Sequence, residues 1–118
     1  MTVKKLKTQE KAKLIAKCAE EKKGEDIVLM DMRGISMMCD WFVIISGTSS
    51  RQINAIANGI AKDLSKKVKI YPLSIEGKQN ASWVLLDYED VVVHVFHKGI
   101  RDFYGLERLW SDAPQKRF

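Results

Sequence analysis

Ser82-Trp83-Val84-Leu85-Leu86-Asp87-Tyr88-Glu89-Asp90-Val91-Val92-Val93-His94-Val95-Phe96-His97 is the stretch that decides the fold. Two apolar arms rich in β-branched and aromatic residues flank a polar cluster holding three acids, the pattern of a β-hairpin. Both parities of each arm are apolar. Trp83 and Leu85 alternate with Val84 and Leu86, and Val91, Val93 and Val95 alternate with Val92 and Phe96. Strands coated on both sides lie inside a sheet with helices above and below.

The tip of the hairpin is chemically unlike the rest of the chain. With 20 Lys plus Arg against 15 Asp plus Glu, the net charge is +5, yet Asp87, Glu89 and Asp90 gather within four residues beside Tyr88. Asn-Gly or Asp-Gly would make a tighter turn. One reading is a contact surface for a basic partner, with acids that steer and aromatics that anchor. The other is a solvated loop whose acids keep the turn polar.

Working outward, Trp41–Ser46 and Asp26–Asp31 are short, continuously apolar runs that read as buried strands. Ile53, Ile56, Ala57, Ile60, Ala61 and Leu64 follow helical spacing behind Gly47-Thr48-Ser49-Ser50, so a helix starts there with Ser or Thr as its cap. Gly59 inside that helix suggests a close approach to a neighbouring strand. Val68–Tyr71, closed by Pro72, reads as a further strand, which would make a parallel pair with the strand before the helix. From Thr8 to Lys23 the spacing of Leu14, Ile15, Cys18 and Ala19 predicts an amphipathic helix stopped by Gly24. Ile100–Trp110 has helical spacing that Gly105 splits in two. The sequence thus predicts a single α/β domain spanning 1–118, with an ordered core over about 6–112 and a tail, 113–118, that frays.

Composition narrows the function classes. No run of eighteen apolar residues occurs and no apolar segment follows the basic start, so we expect a soluble protein that is not exported. Cys18 and Cys39 form no CxxC pair, which makes zinc unexpected and reduced cytosolic thiols the plainer reading. Lys4, Lys5, Lys7, Lys11, Lys13, Lys17, Lys22 and Lys23 crowd the first segment. They read as a solvated helix face, with RNA contact as the alternative. No P-loop, GxGxxG, GxSxG or HExxH is present. His94 and His97 are three apart, so a strand sends them to opposite faces, and His94 reads as a sheet histidine. An enzymatic reading would use Gly47 and Thr48 for phosphate and Asp87 with Glu89 for Mg²⁺, the arrangement of nucleotidyltransferases.

Ordered motifs across nearly the whole chain carry a resemblance. They are Asp31-Met32-Arg33-Gly34, Asp40-Trp41-Phe42-Val43-Ile44, Ser46-Gly47-Thr48-Ser49-Ser50-Arg51-Gln52, Glu76-Gly77, Trp83–Tyr88, Val92–Phe96 and Phe103–Trp110. Together they resemble the ribosomal silencing factor (Iojap-like) family. The resemblance implies a mixed, mostly five-stranded sheet flanked by helices, similar to the nucleotidyltransferase fold but without its activity and with no cofactor or metal. It also implies binding to the large ribosomal subunit through ribosomal protein L-fourteen, a block on subunit joining that lowers translation when nutrients are short, a cytoplasmic location, nearby ribosomal RNA, no membrane, and homodimers. The family's docking motif falls on Trp83, Leu85, Leu86, Asp87, Tyr88 and Asp90. This chain departs from the family at Glu89, where Gly is usual, at Trp41, where Tyr is frequent, near Lys98, where Pro is common, and at Gly105, where Asp is frequent.

Overall fold

The computed structural model describes residues 6–80 and 82–118. Helix α1 (Thr8–Glu21) leads into strands β1 (Glu25–Asp31) and β2 (Trp41–Gly47), followed by helix α2 (Ser50–Val68) and strand β3 (Ser74–Glu76). Strands β4 (Trp83–Asp87) and β5 (Val91–His97) form the expected antiparallel hairpin. Helices α3 (Lys98–Tyr104) and α4 (Leu106–Leu109) and strand β6 (Gln115–Arg117) complete the chain.

One mixed sheet holds all six strands in the order β3-β4-β5-β2-β1-β6. Its centre is the parallel pair β5–β2, and its other pairings are antiparallel. On one face α1 and α2 cover Ile27, Leu29, Val43, Ile45, Val84, Val93 and Val95. On the other, Val28, Met30, Ile44 and Phe96 are covered in part by Ile100, Leu106 and Trp110 of the C-terminal segment. The doubly apolar arms predicted this sandwich correctly.

Four expectations give way. The sheet has six strands rather than five, because residues 115–117 pair with β1 at Val28, Leu29 and Met30 instead of fraying. Sequence pattern could not show this: Gln115, Lys116 and Arg117 are all exposed and contribute backbone hydrogen bonds, not apolar burial. Val68–Tyr71 is not a strand. The helix runs on through Val68, Lys69 turns left-handed at φ 56°, and Val68 and Ile70 pack against the helical-face core by their side chains. The strand comes later, at Ser74–Glu76, and is antiparallel to β4, while the parallel partner of β2 is β5.

Two glycines also serve other ends than expected. The left-handed residue that stops α1 is Lys23, φ 67°, whereas Gly24 is required because a Cβ there would lie 2.7 Å from Ile45 Cγ2 of β2. What an added Cβ at Gly59 would meet first is not a strand but the flexible side chain of Lys22 at the end of α1, its Cε 2.7 Å away.

Candidate functional site

Strand parity divides the hairpin's residues between two environments. Pairing sets Asp87 beside Val92 and Val92 beside Phe42, then Leu85 beside His94 and His94 beside Ile44, then Trp83 beside Phe96. These residues share the face away from α1 and α2. Toward the β3 edge that face is open: Trp83, Leu85 and Asp87 on β4, Val92 on β5 and Phe42 on β2 are all only half-buried. Leu86 and Tyr88 have the opposite parity and lie in the core under the helices, Tyr88 with 4% of its surface exposed.

The six docking positions named from sequence are therefore not one surface. Trp83, Leu85 and Asp87 stand together on the open face. Leu86 and Tyr88 are packed inside, so neither offers a contact in this conformation, and the picture of Tyr88 as an exposed anchor is corrected. Burial pushes the Tyr88 phenol well above its ordinary pKa, with Cys18 adding in the same direction. Its hydroxyl has no hydrogen-bond partner among the described residues. Asp90 lies at the turn, where its two carboxylate oxygens accept from Lys11 Nζ at 2.7 and 3.0 Å, joining the turn to α1. Glu89 takes φ 74°, the left-handed conformation for which Gly is suited, and its N–H donates to Asp87 Oδ1 at 2.7 Å.

An aromatic run stiffens the open face. Trp83 Nε1 donates to His94 Nδ1 at 3.1 Å, the indole stacks on Phe96 with centroids 4.8 Å apart, and Tyr104 of α3 lies 4.5 Å from it on another side. Phe42 meets the His94 ring edge to face at 4.8 Å. Burial alone drives the His94 imidazole down to about 4, so at neutral pH it is an uncharged sheet residue. His97 has the other parity and caps α3, its Nδ1 accepting from the Gly99 N–H.

The nucleotidyltransferase-like arrangement is not assembled. Gly47 pairs with His97, while Asp87 sits at the opposite end of the sheet in the row of Val92 and Phe42. Five residues of strand separate the two rows, about 17 Å. Thr48 is tied to Gln52 Oε1 by both its N–H and its hydroxyl, and Ser49 caps α2 by accepting from the Gln52 N–H. The one group of potential metal ligands among the described residues is Cys18, Glu21 and Asp63, whose ligand atoms lie within 4.8 Å where α1 meets α2. Burial, with Asp63 beside it, raises the Cys18 thiol to about 11, so it keeps its proton and is a poor ligand.

Arg101 was not singled out by any sequence pattern and is the most deeply buried cation described, at 7% exposure. Its Nε donates to Glu107 Oε1 at 2.8 Å, and its Nη1 donates to Ser46 Oγ at 2.8 Å and to the Asp26 carbonyl, clamping α3 and α4 onto β1 and β2. That clamp sets where Tyr104 stands beside Trp83. An arginine inside an otherwise exposed helical face gives no periodic signal, so only the fold reveals it.

The class these features define is an α/β domain whose half-covered sheet presents a rigid apolar face edged by carboxylates. Comparison with known proteins carries this further. The family model described as "Ribosomal silencing factor during starvation" matches residues 5–118. The chain is 48% identical over 102 residues to the ribosomal silencing factor of Bacillus subtilis, covering 86% of each, and 43% identical over 109 residues to that of Halalkalibacterium halodurans, covering 92% of each. A crystal structure of a protein from Chromobacterium violaceum superposes with a TM-score of 0.86 at 35% identity, over 90% of this chain and 88% of that one. The chain belongs to the ribosomal silencing factor family.

Proposed function

We propose that this chain docks on the large ribosomal subunit through ribosomal protein L-fourteen and by its bulk keeps the small subunit from joining, lowering translation when nutrients are scarce. The observation that carries the contact is the open sheet face, where Trp83, Leu85, Val92 and Phe42 lie beside the Asp87 carboxylate. An apolar, aromatic centre with a charged margin is the anatomy of a protein interface, and a carboxylate margin favours a basic partner. Trp83 is already held by His94, Phe96 and Tyr104, so little side-chain entropy remains to be lost on binding. Inhibition of this kind needs no chemistry: at about 100 times its dissociation constant a factor occupies ~99% of its sites. The outward lysines of α1, Lys13 and Lys17, carry a charge that suits a neighbouring RNA surface.

Sedimentation with separated subunits tests the reading. The parent chain is expected to travel with large subunits and to suppress formation of the joined particle. Leu85→Asp and Asp87→Arg, both at half-exposed positions, are each expected to weaken that association about tenfold or more while leaving the circular dichroism spectrum intact. If both variants sediment like the parent, the open face is not the contact.

A further inference from the structure

The loop between β1 and β2 carries two large apolar side chains in full contact with water. Met37 is 103% exposed and Met38 86%, although the backbone around them is fixed on both sides. Ile35 and Ser36 donate their N–H groups to the Met32 carbonyl, the Met38 N–H donates to Ser36 Oγ at 3.0 Å, and the Asp40 N–H donates to the Asp90 carbonyl at 2.7 Å. A loop held this firmly has not extruded its methionines through looseness. Single exposed apolar residues are ordinary, but an adjacent pair on a fixed loop is a patch.

The pair borders a cleft of about 470 Å³ whose other walls include Lys11, Asp40, Glu89 and Asp90. Lys11 is engaged by Asp90, which leaves the carboxylates of Asp40 and Glu89 with no hydrogen bond or ion pair among the described residues. Three acids against one lysine make this cleft negative on a chain whose net charge is +5. Cys39, between Met38 and Asp40, has its thiol pushed up by burial, offset in part by a hydrogen bond with Ser36, with the negative charges of Asp40, Asp87 and Asp90 adding to the rise.

We infer that Met37 and Met38, with the carboxylates of Asp40 and Glu89, form a socket for an arginine or lysine side chain of a protein partner. Methionine is unbranched and polarizable and moulds itself to the aliphatic stem of a long cationic side chain, while the carboxylates take its charged end. RNA is the wrong occupant, since unpaired carboxylates repel phosphate. The inference rests on the ribosome-docking reading above and adds to it a second contact region, on the β1–β2 loop.

The test uses the intact chain and purified large subunits at moderate salt. Met38→Lys and Asp40→Lys, which each set a positive charge against the incoming cation, are each expected to weaken co-sedimentation about tenfold with an unchanged melting temperature, since neither alters a buried contact. A photo-crosslinking amino acid at position 37 is expected to capture a protein. The socket is overturned if the parent sediments and both variants sediment equally well, or if the cross-link falls on ribosomal RNA. Failure of the parent itself to sediment would remove the docking reading and the socket with it, an outcome distinct from failure of the variants alone.

Discussion

The indole N–H of Trp83 donates to Nδ1 of His94, and that single bond at 3.1 Å decides which imidazole nitrogen carries the proton. With Nδ1 accepting, the neutral ring must hold its hydrogen on Nε2, which is buried without a hydrogen-bond partner among the described residues. Protonating Nδ1 would set two donors against each other and bury a charge.

Stability should therefore depend on pH through His94. Its folded pKa, about 4, lies below the ordinary value of 6.5, so the unfolded chain binds the proton more readily. The contribution of the neutral ring is complete above about pH 6.5 and is lost as the pH falls toward about 4. Across that window the unfolding free energy should drop by about 1.4 kcal/mol per pH unit, about 3 kcal/mol in all. Urea unfolding at a series of pH values, repeated with His94→Gln, checks this: the slope in that window should flatten in the variant. An equal slope in both chains would assign the titration elsewhere.

Tyr88→Phe should leave stability unchanged or raise it by up to about 1 kcal/mol, because the hydroxyl it removes is buried and unpaired. Tyr88→Ala should cost about 3–5 kcal/mol through the cavity it opens in the helical-face core. Thermal denaturation of the two variants measures both. Because the ring faces inward, Tyr88→Phe should also sediment with large subunits as the parent does.

Glu89→Gly should stabilise the hairpin. An L-residue in the left-handed region costs roughly 1–2 kcal/mol, and Gly returns part of that gain as extra entropy of the unfolded chain. A net gain of about 0.5 kcal/mol, or ~2 °C in melting temperature, is expected by calorimetry. A lower melting temperature would mean that the Glu89 side chain contributes more than its backbone costs.

Arg101→Met should cost about 3 kcal/mol, since it strands the Glu107 carboxylate, Ser46 Oγ and the Asp26 carbonyl that the guanidinium now satisfies. Chemical denaturation provides the magnitude. Because α3 carries Tyr104 against Trp83, tryptophan fluorescence should shift under native conditions as well.

Much of the architecture was legible in local pattern. The doubly apolar arms of the hairpin, the apolar run at Trp41–Ser46 and the helical spacing from Ile53 to Leu64 each state how many faces an element buries, and burial is what drives their packing. Pattern failed where structure is held by backbone pairing or by a terminal cap. The exposed strand Gln115–Arg117 contributes hydrogen bonds alone, and Lys69 ended a helix whose last apolar residues imitated a strand.

The candidate site divides along the same line. The sequence by itself determined that an acid-rich turn joins two interior strands, that the chain is basic overall, and that its motifs are those of a ribosome-silencing family. Only the tertiary structure decided which side of β4 is open, so that Trp83, Leu85 and Asp87 face outward while Leu86 and Tyr88 serve the core. It alone brought Lys11 to Asp90 across 79 residues, and Trp83 to His94. The physical reason is that periodicity along a chain records which residues must leave water, whereas the choice of the covered face depends on where α1, α2 and α3 come to rest, and that is fixed by contacts between segments distant in sequence.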